Sequence, residues 1–306
     1  MSEAIRDHAL GALIGLAVGD ALGTTLEFQG RDTKPPVYDI VGGGPFDLKP
    51  GQWTDDTSVA LCLADSLIAC NGLNERDLME RFCRWYEAGE NSCTGACFDI
   101  GITTRSALEQ FRLTGDPIAG PTDAKTGGNG SVMRLAPAVL RYWNSPESLK
   151  DVSRRQSYVT HGAVEAVDSC EALATVLAAL IAGKPLTDVL SGTHGPFSGG
   201  VQAVMNGTWR EKARSEIRSS GYVLHTLEAA MWAVSETTSF RDAVLLAVNL
   251  GNDADTVGAV TGQVAGAAYG LSAIPEEWFD RLAWNDRLTE VAEQLYVAGL
   301  ENTVMS

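Results

Sequence analysis

VGAVTGQVAGAAY, residues 257–269, is the segment on which the fold turns. Gly258, Gly262 and Gly266 recur every four residues, so in a helix they fall along one stripe that a second helix can approach closely. Such a stripe predicts a tightly packed bundle. Working outward, the i, i+3, i+4 grid of a helix face recurs at Leu10, Leu13, Ile14, Ala17, Val18 and Ala21, which mark a buried first helix. It recurs again at Val59, Ala60, Leu63, Ala64, Leu67 and Ile68, a helix entered after Thr54 from the Gly/Pro-rich passage Gly42 to Gly51. Further helical runs cover 75–87, 102–111, 132–142, 163–181, 229–234 and 242–248, and alternating, strand-like segments are scarce. The expected fold class is all-α. No fixed-period repeat and no Pro/Gly/Ser linker divides the chain, so residues 1–306 are read as a single domain.

Composition narrows the function. The 306 residues are 45% hydrophobic and 20% charged, the mix of a globular protein with a substantial core. A net charge of −16 without any Lys/Arg cluster argues against nucleic acid, which needs a positive surface, and leaves a basic protein partner open. The opening MSEAIRDHAL lacks the basic start and apolar core of a secretory signal, and apolar stretches such as 257–269 fall short of the roughly 20 residues that span a bilayer. A cytoplasmic location and no membrane role are expected. Cys62, Cys70, Cys83, Cys93, Cys97 and Cys170 sit at irregular spacing, mostly within helical patterns, and read as reduced core residues. Cys93 and Cys97 have no second Cys or His pair at zinc-site spacing.

Two acidic clusters carry the chemical signal: Thr54-Asp55-Asp56-Thr57 at the start of the second helix, and Asp253-Ala254-Asp255-Thr256 before the glycine-striped one. Each has two readings. Hydroxyls and carboxylates at a helix start are ordinary N-caps. Brought together by the fold, the same oxygens would suit hard divalent cations. The segment Gly127-Gly128-Asn129-Gly130-Ser131 leads into a helix, so it is either a phosphate-binding loop with the helix dipole behind it or a plain turn.

The neighbours add a resemblance. Gly19-Asp20-Ala21-Leu22-Gly23, then Glu27, Gly42-Gly43-Gly44 and Gln52-Trp53-Thr54-Asp55-Asp56-Thr57 resemble the opening motifs of the ADP-ribosylglycohydrolases. NLGNDADT, residues 249–256, resembles that family's second metal motif, and the likeness runs from about Leu10 to Trp278. The resemblance implies a compact multi-helix orthogonal bundle with two Mg²⁺ or Mn²⁺ ions at one end of an ADP-ribose cleft. Thr54, Asp55, Asp56, Asp253, Asp255 and Thr256 would be the metal ligands. Glu27, the acidic residue beside the metals, and Asp99, in an Asp-x-Gly like that of arginine-specific bacterial members, would be the catalytic carboxylates. The 127–131 loop would take the diphosphate, with His161 near the nucleotide and Tyr222 on the adenine, although a lone His or Tyr is often structural. The implied reaction is metal-dependent removal of ADP-ribose from ADP-ribosylated arginine in proteins. Serine-linked ADP-ribose and O-acetyl-ADP-ribose are the alternative substrates. A non-catalytic binding protein, or an immunity protein against a cognate ADP-ribosyltransferase toxin, is the alternative role.

Overall fold

The computed structural model describes residues 3–192 and 194–301. Its fourteen α-helices among those residues are α1 Glu3–Gly23, α2 Asp55–Ala69, α3 Glu75–Ala88, α4 Ile102–Thr114, α5 Ala136–Tyr142, α6 Pro146–Tyr158 and α7 Val164–Ile181, followed by α8 Leu186–Ser191, α9 Gly199–Met205, α10 Val223–Ser235, α11 Phe240–Val248, α12 Ala254–Tyr269, α13 Glu276–Arg281 and α14 Asn285–Glu301. The described residues form no β-strand beyond two isolated bridges, Gly43 with Leu48 and Gly128 with Tyr222. The architecture is all-α.

Helices α1 and α12 form the centre. They run antiparallel, glycine against glycine: Gly11 faces Gly266, Gly15 faces Gly262 and Gly19 faces Gly258. With no side chain between them, the carbonyl of one helix lies over the Cα of the other, the geometry of weak Cα–H···O contacts. Every residue of α1 from Ala9 to Gly23, and of α12 from Ala254 to Ala267, is buried. Helices apolar all round belong in a core rather than at its surface. α11, α10 and α7 pack on the rest of α12, while α14, α5 and α2 pack on α1. By length and composition, Glu3–Leu26 could cross a bilayer, but 94% of its apolar window is buried inside the protein. It is the core helix.

Some boundaries differ from the sequence reading. The expected 132–142 helix begins only at Ala136, because the carbonyl of Asn129 accepts from the N–H groups of Val132 and Met133 and holds a turn there. Pro137 then sits in the first helical turn, where its missing N–H costs nothing. The short helices α8, α9 and α13 and the longer α6 and α14 fill segments that the reading left unassigned. Cys62 and Cys170 are core residues, Cys83, Cys93 and Cys97 are partly buried, and Cys70 is exposed, against expectation.

The antiparallel seam places the C-terminal end of α1 beside the N-terminal end of α12, with Gly23 against Ala254. The N-terminus of α2 enters the same end, tied to Asp20 of α1. All the acidic motifs therefore meet at one pole of the bundle.

Candidate active site

Thr54 is the N-cap of α2 and Asp253 that of α12, yet neither side chain caps its own helix. The caps come from elsewhere. Asp20, in the last turn of α1, accepts from the backbone N–H of Thr54 at 2.8 Å and of Thr57 at 3.0 Å, and from their hydroxyls at 2.9 and 2.6 Å. Glu27, just past α1, accepts from the N–H of Ala254 at 2.8 Å. Remote carboxylates thus satisfy the free donors of both helix starts. The local acids are left facing one another.

Asp20, Asp56 and Asp255 each offer an oxygen within 4.8 Å of the others, and so do Glu27, Asp99 and Asp255. Asp255 belongs to both sets, so the two sets meet at that residue. The hydroxyl of Thr256 donates to Asp56 Oδ2 at 3.4 Å, joining motifs 200 residues apart in sequence, and the Thr54 hydroxyl lies 3.3 Å from the same oxygen. Asp56 Oδ1 and Asp255 Oδ2 are buried without a hydrogen-bond partner among the described residues. An unsatisfied buried carboxylate oxygen is costly. Two at one spot ask for a cation.

Electrostatics say the same. Burial first, and neighbouring carboxylates second, push the Asp20 and Asp253 carboxyls up to about 7 and Asp99 up to about 11. The same causes raise Glu27, Asp55 and Asp56 well above the usual carboxylate range. An all-oxygen donor set of this charge fits a hard divalent ion, which would favour the ionised carboxylates.

A cavity of about 720 Å³ opens over the cluster, within the size range of a nucleotide-sized ligand. Glu27, Asp55, Asp99, Asp253, Asp255 and Thr256 line it, together with Gly128, Asn129, Gly130 and His161. Asn129 ties the two groups together: its amide donates to Asp253 Oδ2 at 2.6 Å and to the Thr226 hydroxyl at 2.9 Å. In the glycine loop, the N–H groups of Gly127, Gly128 and Asn129 bond to backbone carbonyls, leaving Gly130 and Ser131 as the loop amides without an acceptor among the described residues. The loop ends in a turn rather than running directly into α5, so no helix start stands immediately behind it. His161 explains the glycines: a Cβ on Gly130 would meet its Cε1 at 2.7 Å, and one on Gly128 its Nε2 at 3.2 Å. Its Nδ1 shares a hydrogen bond with the Thr160 hydroxyl at 2.9 Å, and burial, reinforced by Arg134, lowers its pKa to about 3, so the ring is neutral.

Gly127, Ser131 and Tyr222 do not line the cavity. Ser131 is buried against Ser157, 2.8 Å from its hydroxyl. The Tyr222 hydroxyl donates to Glu165 Oε2 at 2.5 Å, its ring meets His225 edge-on at 5.1 Å, and its backbone bridges to Gly128. These residues support the loop from behind. Thr54 and Asp56 lie beneath the cavity floor rather than on it.

The sequence reading assigned no role to Asp20, Phe28, Ser220, Gly221 or Asn252. Asp20 had a signal, a lone acid inside the apolar run of α1, where charged residues are rarely buried unpaired. The others had none. Phe28, Asp99 and Asn252 line the cavity at φ of 59°, 60° and 60°, a left-handed conformation that non-glycine residues seldom adopt and that gathers at functional sites. Two backbone bonds hold Phe28 and Asn252 in place: Phe28 N–H to the Asn252 carbonyl and Asn252 N–H to that of Gln29, both 2.6 Å.

Comparison with known proteins agrees with this geometry. The ADP-ribosylglycohydrolase family model matches residues 1–303. The chain is 51% identical over 290 residues to ADP-ribosylarginine hydrolase Tri1 of Serratia proteamaculans, covering 95% of this chain and 79% of that protein. It is 46% identical over 294 residues to the protein of the same name from Pseudomonas putida, covering 96% and 79%. With the ADP-ribosyl-(dinitrogen reductase) glycohydrolase of Rhodospirillum rubrum it shares 32% identity over 295 residues, 91% of each chain. A solved structure described as an ADP-ribosylglycohydrolase-related protein complex superposes with a TM-score of 0.87 at 42% identity, over 97% of this chain and 100% of that one. The match spans both acidic motifs and the bundle that unites them, and the chain belongs to the ADP-ribosylglycohydrolase family.

Proposed function

We propose that the protein hydrolyses the bond between ADP-ribose and arginine side chains of modified proteins, using two divalent cations, Mg²⁺ or Mn²⁺. One observation carries this: two carboxylate trios sharing Asp255, with two orphaned oxygens, line or underlie a cavity that can take ADP-ribose. Relatives at 51% and 46% identity that carry the name ADP-ribosylarginine hydrolase support the arginine linkage.

Thr54, Asp55, Asp56, Asp253, Asp255 and Thr256 would hold the cations, with Asp20 fixing the α2 end of the set. The cations would supply Lewis-acid stabilisation at the ribose and ease ionisation of water. The chain's own residues do the rest. Asn129 orients Asp253, and the amide of Gly130, which lines the cavity, offers a donor to the diphosphate. His161, neutral and packed on the loop glycines, fixes that loop without adding charge. Glu27, anchored through Oε2 by the start of α12 and grouped with Asp99 and Asp255, orients the attacking water. Asp99, aimed into the cavity from a strained backbone, stands by the leaving guanidinium nitrogen. In the reaction the bond from the anomeric carbon to nitrogen breaks, water oxygen bonds to that carbon, and a proton goes to the departing nitrogen. Positioned acid–base groups contribute roughly 10²–10⁴ in rate to such steps. The substrate implies an arginine-modifying ADP-ribosyltransferase upstream. A cognate toxin of that class is the partner this reading names, and co-expression tests it by cell survival.

The test is release of ADP-ribose from arginine-ADP-ribosylated protein with Mg²⁺, with EDTA, and with Asp55→Ala or Asp255→Ala. Metal-dependent release that both variants lose is the expected result. Release from serine-linked substrate or O-acetyl-ADP-ribose alone would transfer the activity to those linkages.

A further inference from the structure

We infer that Phe28 is the specificity residue for the arginine side of the substrate, its ring a ledge on which the planar guanidinium stacks. This rests on the arginine-hydrolase reading above and assigns a subsite beyond it. Phe28 lines the mouth of the cavity yet stays 64% exposed, an unusual state for a phenylalanine in a molecule whose other aromatics mostly pack inward. The exposure is built in. Its backbone, at φ 59°, is held by the bond from its own N–H to the carbonyl of Asn252, the residue immediately before Asp253, and by the bond from the Asn252 N–H to the carbonyl of Gln29, next in the chain after Phe28. The ring is also backed: Phe46 meets it edge-on at 6.1 Å, and Phe98 supports Phe46 at 5.1 Å. A bulky residue held in a strained conformation, with its ring braced but uncovered, is arranged to touch something outside the protein.

Its place in the cleft decides what. On that reading the scissile ribose lies at the carboxylates, and the nucleotide extends from there to the amide of Gly130. Phe28 directly follows Glu27 and Phe98 directly precedes Asp99, so the aromatic ledge adjoins the scissile bond, and its exposure faces the solvent from which a protein substrate arrives. The group next to the scissile bond on that side is the leaving arginine. A guanidinium is planar and cationic, and the negative face of an aromatic ring binds such groups. Asp99, which lines the same cavity, offers the guanidinium N–H groups an oxygen acceptor. Serine-linked ADP-ribose and the acetyl ester bring no cation to the ledge.

Phe28→Leu keeps apolar bulk and removes the π face; Phe28→Tyr keeps the ring. For arginine-linked substrate, Phe28→Leu is expected to raise KM roughly three- to tenfold, the worth of a partly exposed cation–π contact, with the larger share of the loss in KM rather than kcat. Phe28→Tyr should restore KM to within about twofold. The affinity for free ADP-ribose, measured by calorimetry on the Mg²⁺-loaded protein, should hardly move in either variant. An unchanged KM in a Phe28→Leu protein of wild-type melting temperature overturns the proposal. So does an equal loss of ADP-ribose affinity, which would place the nucleotide on the ring. If wild-type protein releases nothing from arginine-linked substrate but acts on another linkage, the hydrolase assignment fails first and takes the ledge's ligand with it.

Discussion

Replacing Gly262 with alanine tests whether the glycine seam builds the site. A Cβ at Gly262 would lie 2.6 Å from the Gly15 carbonyl carbon and closer still to its oxygen. Comfortable carbon–carbon contact needs about 3.5 Å, so α1 and α12 would have to separate by about 1 Å. Both sides of the contact are backbone, and no rotamer can relieve it. Overpacking costs about 3 kcal/mol at the upper end of its usual range, while alanine returns about 1 kcal/mol of helix propensity over glycine. The net loss is about 2 kcal/mol, or a fall of about 4 °C in melting temperature for a chain of this size. Asp255 lies seven residues before Gly262 on the same helix, about 10 Å along its axis, so the shift reaches the Asp20, Asp56 and Asp255 set. Mg²⁺ should then stabilise the variant less than it stabilises the wild type. Differential scanning calorimetry with and without Mg²⁺ measures both effects. Gly199→Ala is the control, because its Cβ meets nothing within 4 Å and its melting point should stay within about 1 °C. A Gly262→Ala protein at least as stable as wild type would refute the reasoning, since the seam would then cost no more than helix propensity returns.

Asp20→Ala should destabilise the protein by about 2 kcal/mol, because it strips the start of α2 of its acceptor, and should cut turnover by more than tenfold; urea unfolding and the ADP-ribose release assay check the two. Metal-free protein should lose stability as pH rises. The Asp20 and Asp253 carboxyls stand at about 7 when folded against an ordinary 3.8, so their contribution is fully present below about 3.8 and is lost as pH passes 7. Melting temperatures in EDTA should fall between pH 5 and 8, and Mg²⁺ should recover them at pH 8, where ionised carboxylates bind it best; a flat profile in EDTA would contradict the buried cluster. We further propose that the chain unfolds as one domain, since the α1–α12 seam joins its two ends; calorimetry should show a single transition whose calorimetric and van't Hoff enthalpies agree.

The sequence by itself determined the helical class, because apolar residues at helical spacing can be buried in only one way. It also determined both acidic motifs and the close approach to α12, because Gly258, Gly262 and Gly266 are local facts of spacing. Gly11, Gly15, Gly19 and Gly23 on α1 carry the same spacing, but nothing in one stripe names its partner, and only the tertiary structure laid one against the other. The same holds at the site. Acidic residues at two helix starts read equally well as caps or as metal ligands, since a cap and a ligand use the same oxygens. Tertiary packing adds what spacing lacks: Asp20 and Glu27 come from the end of α1 to accept from the two helix starts, and Asp56 and Asp255 are left close together, each with an unpartnered oxygen among the described residues. Phe28 drew no notice in the sequence for a related reason. A phenylalanine beside an acid is ordinary until a strained backbone holds its ring at the mouth of a cleft. Local spacing fixes which groups exist, and long-range packing fixes which of them remain unsatisfied, which is where binding and chemistry can occur.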